Sequence, residues 1–147
     1  MNQYETLLNQ IKVIVKKDLP LVSNLANTSA VLFTMEDINW AGFYLFEKDR
    51  LILGPFQGEV ACTTIPLGKG VCGTSAKERR TIVVDDVHQF NGHIACSSLS
   101  KSEIVVPLIK DDKLFGVIDI DSPIYSRFKE EEKDFIEEVR DVLLEVI

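Results

Sequence analysis

Apolar residues recur at helical spacing near the start of the chain: Tyr4, Leu7, Leu8, Ile11 and Val15, with polar residues between them. This predicts an amphipathic helix ending near Lys16-Lys17-Asp18. Pro20 suits a first helical turn, and the helix it opens carries Leu21, Leu25, Leu32 and Phe33 to about Met35. From Ile38 to Phe46 the pattern becomes strand-like and aromatic. Alternation sets Ile38, Trp40, Gly42, Tyr44 and Phe46 on one face, and Asn39, Ala41, Phe43 and Leu45 on the other. Gly42 leaves a gap between Trp40 and Tyr44, which would floor an aromatic-walled pocket; alternatively, both rings simply fill the core.

Glu47-Lys48-Asp49-Arg50 reads as a turn, and Leu51 to Phe56 as the returning strand of a hairpin. Gly54-Pro55-Phe56-Gln57-Gly58 then breaks regularity, and Cys62 to Ile65 is a short extended piece before Pro66. Gly68-Lys69-Gly70-Val71-Cys72-Gly73 is a tight turn into a short helix, Val71 to Lys77. It lacks the residue order of a nucleotide phosphate loop. Strands follow at Ile82–Val84, at Glu103–Ile109 and, after a turn at Asp111-Asp112, at Leu114–Asp121. Pro107 inside the second of these predicts an edge or bulged strand. A last helix starts near Phe128-Lys129 and buries Phe135, Ile136, Val139, Val142 and Leu143. Its acidic first turn, Glu130-Glu131-Glu132, suits the helix dipole and reads as a solvated face. The sum is an α+β fold: a central, mainly antiparallel sheet of five to six strands, with the N- and C-terminal helices packed on one face.

Composition narrows the classes. The chain has 147 residues, 46% hydrophobic and 27% charged, which fits one globular domain. The net charge of −7 argues against nucleic-acid binding, which needs a basic face. No apolar run is long enough to span a bilayer, and the N-terminus lacks the order of a signal peptide, so the expected location is the cytoplasm. Three cysteines, Cys62, Cys72 and Cys96, are an odd number in a reducing compartment, which favours redox, catalytic or metal roles over a disulfide framework. They form no C-x-x-C pair, so no structural metal site is expected.

Two stretches carry candidate chemistry. The segment from Asn91 to Glu103 is small and polar and runs into a strand; Cys96 lies within it, with His88 and His93 upstream and Glu103 downstream. A thiol on such a loop is either an ordinary turn residue or a reactive group. In Leu114–Asp121, alternation places Val117, Asp119 and Asp121 on one strand face. Two carboxylates so close repel when ionised. They persist on a solvated face, or where a cation, a donor or a raised pKa stabilises them.

Taken together, these motifs resemble a known family. They are Asn39-Trp40-Ala41-Gly42-Phe43-Tyr44, Gly54-Pro55-Phe56-Gln57-Gly58 with Ala61-Cys62, and Ile65-Pro66-Leu67-Gly68-Lys69-Gly70-Val71-Cys72-Gly73. They continue with Asp86-Val87-His88, Gly92-His93-Ile94-Ala95-Cys96, Ser102-Glu103-Ile104-Val105-Val106-Pro107 and Asp119-Ile120-Asp121-Ser122-Pro123. The chain is similar over nearly its whole length to the free methionine-(R)-sulfoxide reductases, which are stand-alone GAF domains. The resemblance implies a single GAF domain over residues 1–147 that reduces free L-methionine-(R)-sulfoxide. It implies Cys96 as nucleophile, Cys62 and Cys72 as resolving candidates, and a substrate pocket formed by Trp40, Tyr44, Glu103, Asp119 and Asp121. It further implies a sulfenic acid and an intramolecular disulfide, no cofactor beyond an external dithiol reductant such as thioredoxin, and a possible homodimer through the terminal helices. The alternatives are a non-catalytic GAF module that binds a small ligand and a thiol-based redox sensor.

Overall fold

Both faces of one antiparallel sheet are covered in the computed structural model, which describes residues 2–92, 96 and 99–147. The described residues form α1 (Gln3–Ile14), α2 (Leu21–Leu32), β1 (Trp40–Glu47), β2 (Arg50–Gly58), β3 (Thr64–Pro66), α3 (Gly70–Glu78), β4 (Ile82–Val84), β5 (Ser102–Lys110), β6 (Lys113–Ser122) and α4 (Glu130–Leu144). A 3-10 turn at Val87–Gln89 follows β4. The strand order is β3-β2-β1-β6-β5-β4, every pair antiparallel.

Strand alternation feeds two cores. Ala41, Phe43, Ile104, Val106, Leu108, Ile118 and Ile120 point to one face and pack under α1, α2 and α4. Trp40, Tyr44, Val105 and Val117 point to the other and pack with Val71, Cys72 and Ala76 of α3. The terminal helices thus share one face, as expected, while α3 sits on the opposite one. Among the described residues, no helix is long and apolar enough to cross a membrane.

Several boundaries differ from the sequence expectation for local reasons. α1 stops at Ile14 because Val15 turns extended and the buried Asn24 side chain satisfies the backbone of Lys16, accepting from its N at 3.2 Å and donating to its O at 2.7 Å. α2 ends at Leu32, and tightened i→i−3 bonds from Thr34 and Met35 close it. β1 begins at Trp40, so Ile38 lies outside the alternation and packs against the helix-covered core instead. β5 is flanked by β4 and β6 and is not an edge strand. β4, however, pairs only with Glu103–Val105, so among the described residues Pro107 falls where no strand pairs on that side, and a register shift follows at Leu108/Ile109. The acidic start of α4 is not wholly solvated: Glu132 is buried and accepts from Tyr4 Oη at 2.6 Å and Lys129 N at 2.8 Å. Burial alone would raise its pKa, but these bonds and the nearby Arg127 outweigh burial and hold Glu132 below the usual carboxylate range. This contact anchors α1 to α4.

Candidate active site

Strand register assembles the acids. Asp121 pairs with Trp40 on β1 and with Glu103 on β5; Asp119 pairs with Gly42 and with Val105. With a side-chain period of two, Glu103, Asp119 and Asp121 therefore share the sheet face that carries Trp40 and Tyr44. That face lies under the first turn of α3, where Gly70, Val71 and Cys72 close the opposite wall. Between them is a pocket of about 540 Å³, its open mouth included, also lined by Ala61, Cys96 and Ser100.

The aromatic wall differs from the sequence expectation. Gly42 does not leave a gap. A Cβ there would sit 2.3 Å from Phe56 Cβ, because β2 brings Phe56 directly opposite Gly42. The glycine admits Phe56, which stacks on Trp40 at 5.0 Å between ring centroids; Trp40 in turn stacks on Tyr44 at 5.8 Å. Both polar ring atoms are tied down. Trp40 Nε1 donates to the backbone O of Glu59 (3.1 Å), and Tyr44 Oη donates to the backbone O of Cys62 (3.0 Å). The rings thereby hold the segment that delivers Cys62.

Cys62 is joined to Cys96 in a disulfide, with Cα atoms 5.4 Å apart. The bond links the β2–β3 connection to the loop preceding β5, and Cys96 faces the pocket. Cys72 stays a free, buried thiol. His88 lies on the 3-10 turn, exposed, with Nδ1 3.1 Å from Asp86 Oδ1 and away from the pocket. His93 and positions 94, 95, 97 and 98 of the loop lie outside the described residues.

The electrostatics follow from burial. Glu103 is 8% exposed and Asp119 5%. Desolvation, then the charges of Asp119 and Asp121, push the Glu103 carboxyl well above its usual range. Asp121 rises well above its range by burial, then by the charge of Asp119. Asp119 is raised by burial too, but hydrogen bonds from Glu103, Cys72 and Asp121 pull it back. Asp119 is therefore the member of the set held nearest its ordinary range, the hydrogen-bond acceptor of the other two. Burial and the same acids push the Cys72 thiol up, and Tyr44 is raised by burial first. One oxygen each of Asp119 and Asp121 is buried with no hydrogen-bond partner among the described residues, an opening for a donor or a cation. Cys72, Glu103 and Asp119 also bring one metal-ligating atom each to within 4.8 Å of one another.

The structure thus brings Trp40, Tyr44, Cys72, Cys96, Glu103, Asp119 and Asp121 to one pocket, with Cys62 bonded at its rim. Sequence reasoning missed four contributors. Phe56 buttresses Trp40, and its hairpin position opposite a glycine was the available signal. Lys69 and Gly70 start α3 with no side-chain cap and line the pocket; their backbone N–H groups donate to Pro66 O (3.2 Å) and Gly92 O (3.0 Å). Ser100 lines the pocket and accepts from Asn39 Nδ2 at 3.2 Å, a pairing of residues 61 apart that no local pattern reports.

Comparison with known proteins places this geometry. The GAF domain family model matches residues 20–143. The free methionine-R-sulfoxide reductase of Escherichia coli is 47% identical over 131 residues, covering 88% of this chain and 79% of that protein. The enzyme of the same name from Saccharomyces cerevisiae is 50% identical over 127 residues, covering 80% and 71%. Among solved structures, fRMsr of Staphylococcus aureus in complex with substrate superposes with a TM-score of 0.93 at 50% identity, covering 99% of this chain and 96% of that one. With a GAF sheet, a disulfide-linked cysteine pair at the pocket mouth and relatives of this similarity, the chain belongs to the GAF domain family and, within it, to the free methionine-R-sulfoxide reductases, which are enzymes.

Proposed function

We propose that this protein reduces free L-methionine-(R)-sulfoxide to L-methionine. The observation that carries the reading is the convergence of a cysteine pair and three buried acids on one aromatic-walled pocket. In the reduced protein the Cys96 thiolate attacks the sulfoxide sulfur while a protonated carboxyl supplies the proton to the sulfoxide oxygen. Glu103 and Asp121, both pushed well above their ordinary range by burial, are the donor candidates in this reading, and Asp119 accepts from them. The oxygen passes to Cys96 as a sulfenic acid and methionine leaves, its sulfur reduced by two electrons. A second thiol then displaces the sulfenic oxygen as water and forms a disulfide. Cys62 fits that step, since it stands at bonding distance from Cys96; Cys72, buried and protonated beside the acids, is the weaker candidate. Two electrons from an external dithiol such as thioredoxin reopen the disulfide by exchange, with no bound cofactor.

The pocket also accounts for preference toward the free amino acid. The substrate's methyl group packs on Trp40, and its ammonium lies against the unpartnered oxygens of Asp119 and Asp121. Its carboxylate lies toward Lys69 and the start of α3, where the lysine charge and the helix dipole favour an anion. A methionine sulfoxide inside a peptide has neither charge. Turnover of the separated sulfoxide epimers with dithiothreitol tests the reading. Methionine should form from the R epimer, with little from the S epimer or from a peptide-embedded sulfoxide. Equal rates on the peptide would sink the proposal, and peroxide-driven disulfide formation without any methionine would favour a redox sensor. A homodimer through the terminal helices and a cytoplasmic location remain parts of the same proposal.

A further inference from the structure

Closing the Cys62–Cys96 disulfide leaves one thiol, Cys72, and the acids surround it. We propose that Cys72, Glu103 and Asp119 form a binding site for a borderline-soft divalent cation, zinc above all, on the floor of the pocket. Cys72 Sγ lies 3.9 Å from Glu103 Oε2, and the three ligand atoms fall within 4.8 Å of one another. Zinc bonds of about 2.3 Å to sulfur and about 2.0–2.2 Å to oxygen span such a set after modest side-chain shifts. A second observation points the same way. Asp119, a side chain 5% exposed, lines the pocket with Oδ1 buried and without a hydrogen-bond partner among the described residues. That acceptor is satisfied by a cation.

The donor set selects the ion. One thiolate and two carboxylates suit zinc or its near neighbours, whereas magnesium and calcium take six or more oxygens. Three protein ligands leave a fourth tetrahedral position, directed to Asp121 or to water, which is the pattern of an accessible zinc site and not of a closed structural one. The ligands come from α3, β5 and β6, so no sequence spacing announces them. Binding is coordination alone: the Cys72 thiol and the Glu103 carboxyl release their protons to solvent and nothing is oxidised. The inference stands whether or not the chain reduces a sulfoxide.

The test uses the oxidised protein, in which Cys72 is the sole thiol, titrated with Co²⁺ as a spectroscopic stand-in for zinc. The expected result is one equivalent bound, with a sulfur-to-cobalt charge-transfer band in the near ultraviolet and tetrahedral bands in the visible, all bleached by one equivalent of Zn²⁺. Cys72→Ala should lose the charge-transfer band. Cys72→Ala and Asp119→Asn should each weaken binding at least about tenfold, since even outer-sphere changes cost that much. Circular dichroism verifies that both variants are folded. Cobalt binding without a sulfur band, affinity unchanged in both variants, or no saturable binding to the wild-type protein would overturn the assignment.

Discussion

Glu103→Gln separates the chemistry of the acid cluster from its effect on stability. Glu103 is buried opposite Asp121, and burial followed by the two neighbouring charges keeps its carboxyl protonated above the usual range. Unfolding releases it to ionise, so at neutral pH the unfolded chain binds fewer protons than the folded one. The contribution of Glu103 to stability is therefore greatest below the ordinary carboxylate range. It declines as pH rises from there through the folded-state pKa. Glutamine keeps the shape and an N–H donor for Asp119 but has no proton to lose. Each pKa unit of the rise is worth about 1.4 kcal/mol. A gain of at least about 1 kcal/mol at pH 7, less than one unit of that rise, would raise Tm by at least about 2–4 °C in a chain of this size. Below about pH 4 (the unperturbed carboxylate range) the two proteins should melt together, because Glu103 is then protonated in both states. Single-turnover methionine release should fall at least about tenfold for want of the acid. Paired melts across pH and rapid-quench kinetics read both effects. A variant that melts early at pH 7 and turns over normally would show that Glu103 is a structural residue and that this account of the cluster is wrong.

Cys96→Ser should abolish single-turnover methionine release, while Cys62→Ser should release up to one equivalent and accumulate the sulfenic acid, both read by chromatography and mass spectrometry. Gly42→Ala forces a Cβ to 2.3 Å from Phe56 Cβ and should cost roughly 1–3 kcal/mol, raising KM as Phe56 leaves Trp40; denaturant melts and substrate titration check both. Tyr4→Phe removes the 2.6 Å bond to Glu132 Oε2 and should cost about 1–3 kcal/mol at pH 7. Because the Glu132 pKa is lowered, its contribution is present above the ordinary carboxylate range and lost as pH falls through its folded-state pKa, so the penalty of Tyr4→Phe should shrink in acid.

Periodicity by itself determined much of this molecule. The 3.6-residue pattern of Tyr4, Leu8 and Ile11 and the period of two from Trp40 to Phe46 and from Val117 to Asp121 are set by backbone geometry, and the structure keeps them; Leu114, beyond the register shift, packs on the same side as Val117. The motif residues identified the family for a related reason: a pocket built mostly from strand faces and tight turns leaves its residue types in order along the chain. Element ends were less legible. Asn24 stops α1 through a side chain eight residues from Lys16, and Tyr4 buries Glu132 across 128 positions. Only the tertiary structure decided that Asp119 and Asp121 face a buried pocket and not solvent, because one alternation pattern serves both until α3 closes over it. The same holds for Gly42. A glycine in a strand marks a close approach, but which group approaches depends on the register of the partner strand, and here that group is Phe56. The pairing of Cys62 with Cys96, and the burial of Cys72 among the acids, likewise required the fold, since distance along the chain carries no information about which sulfur atoms meet in space.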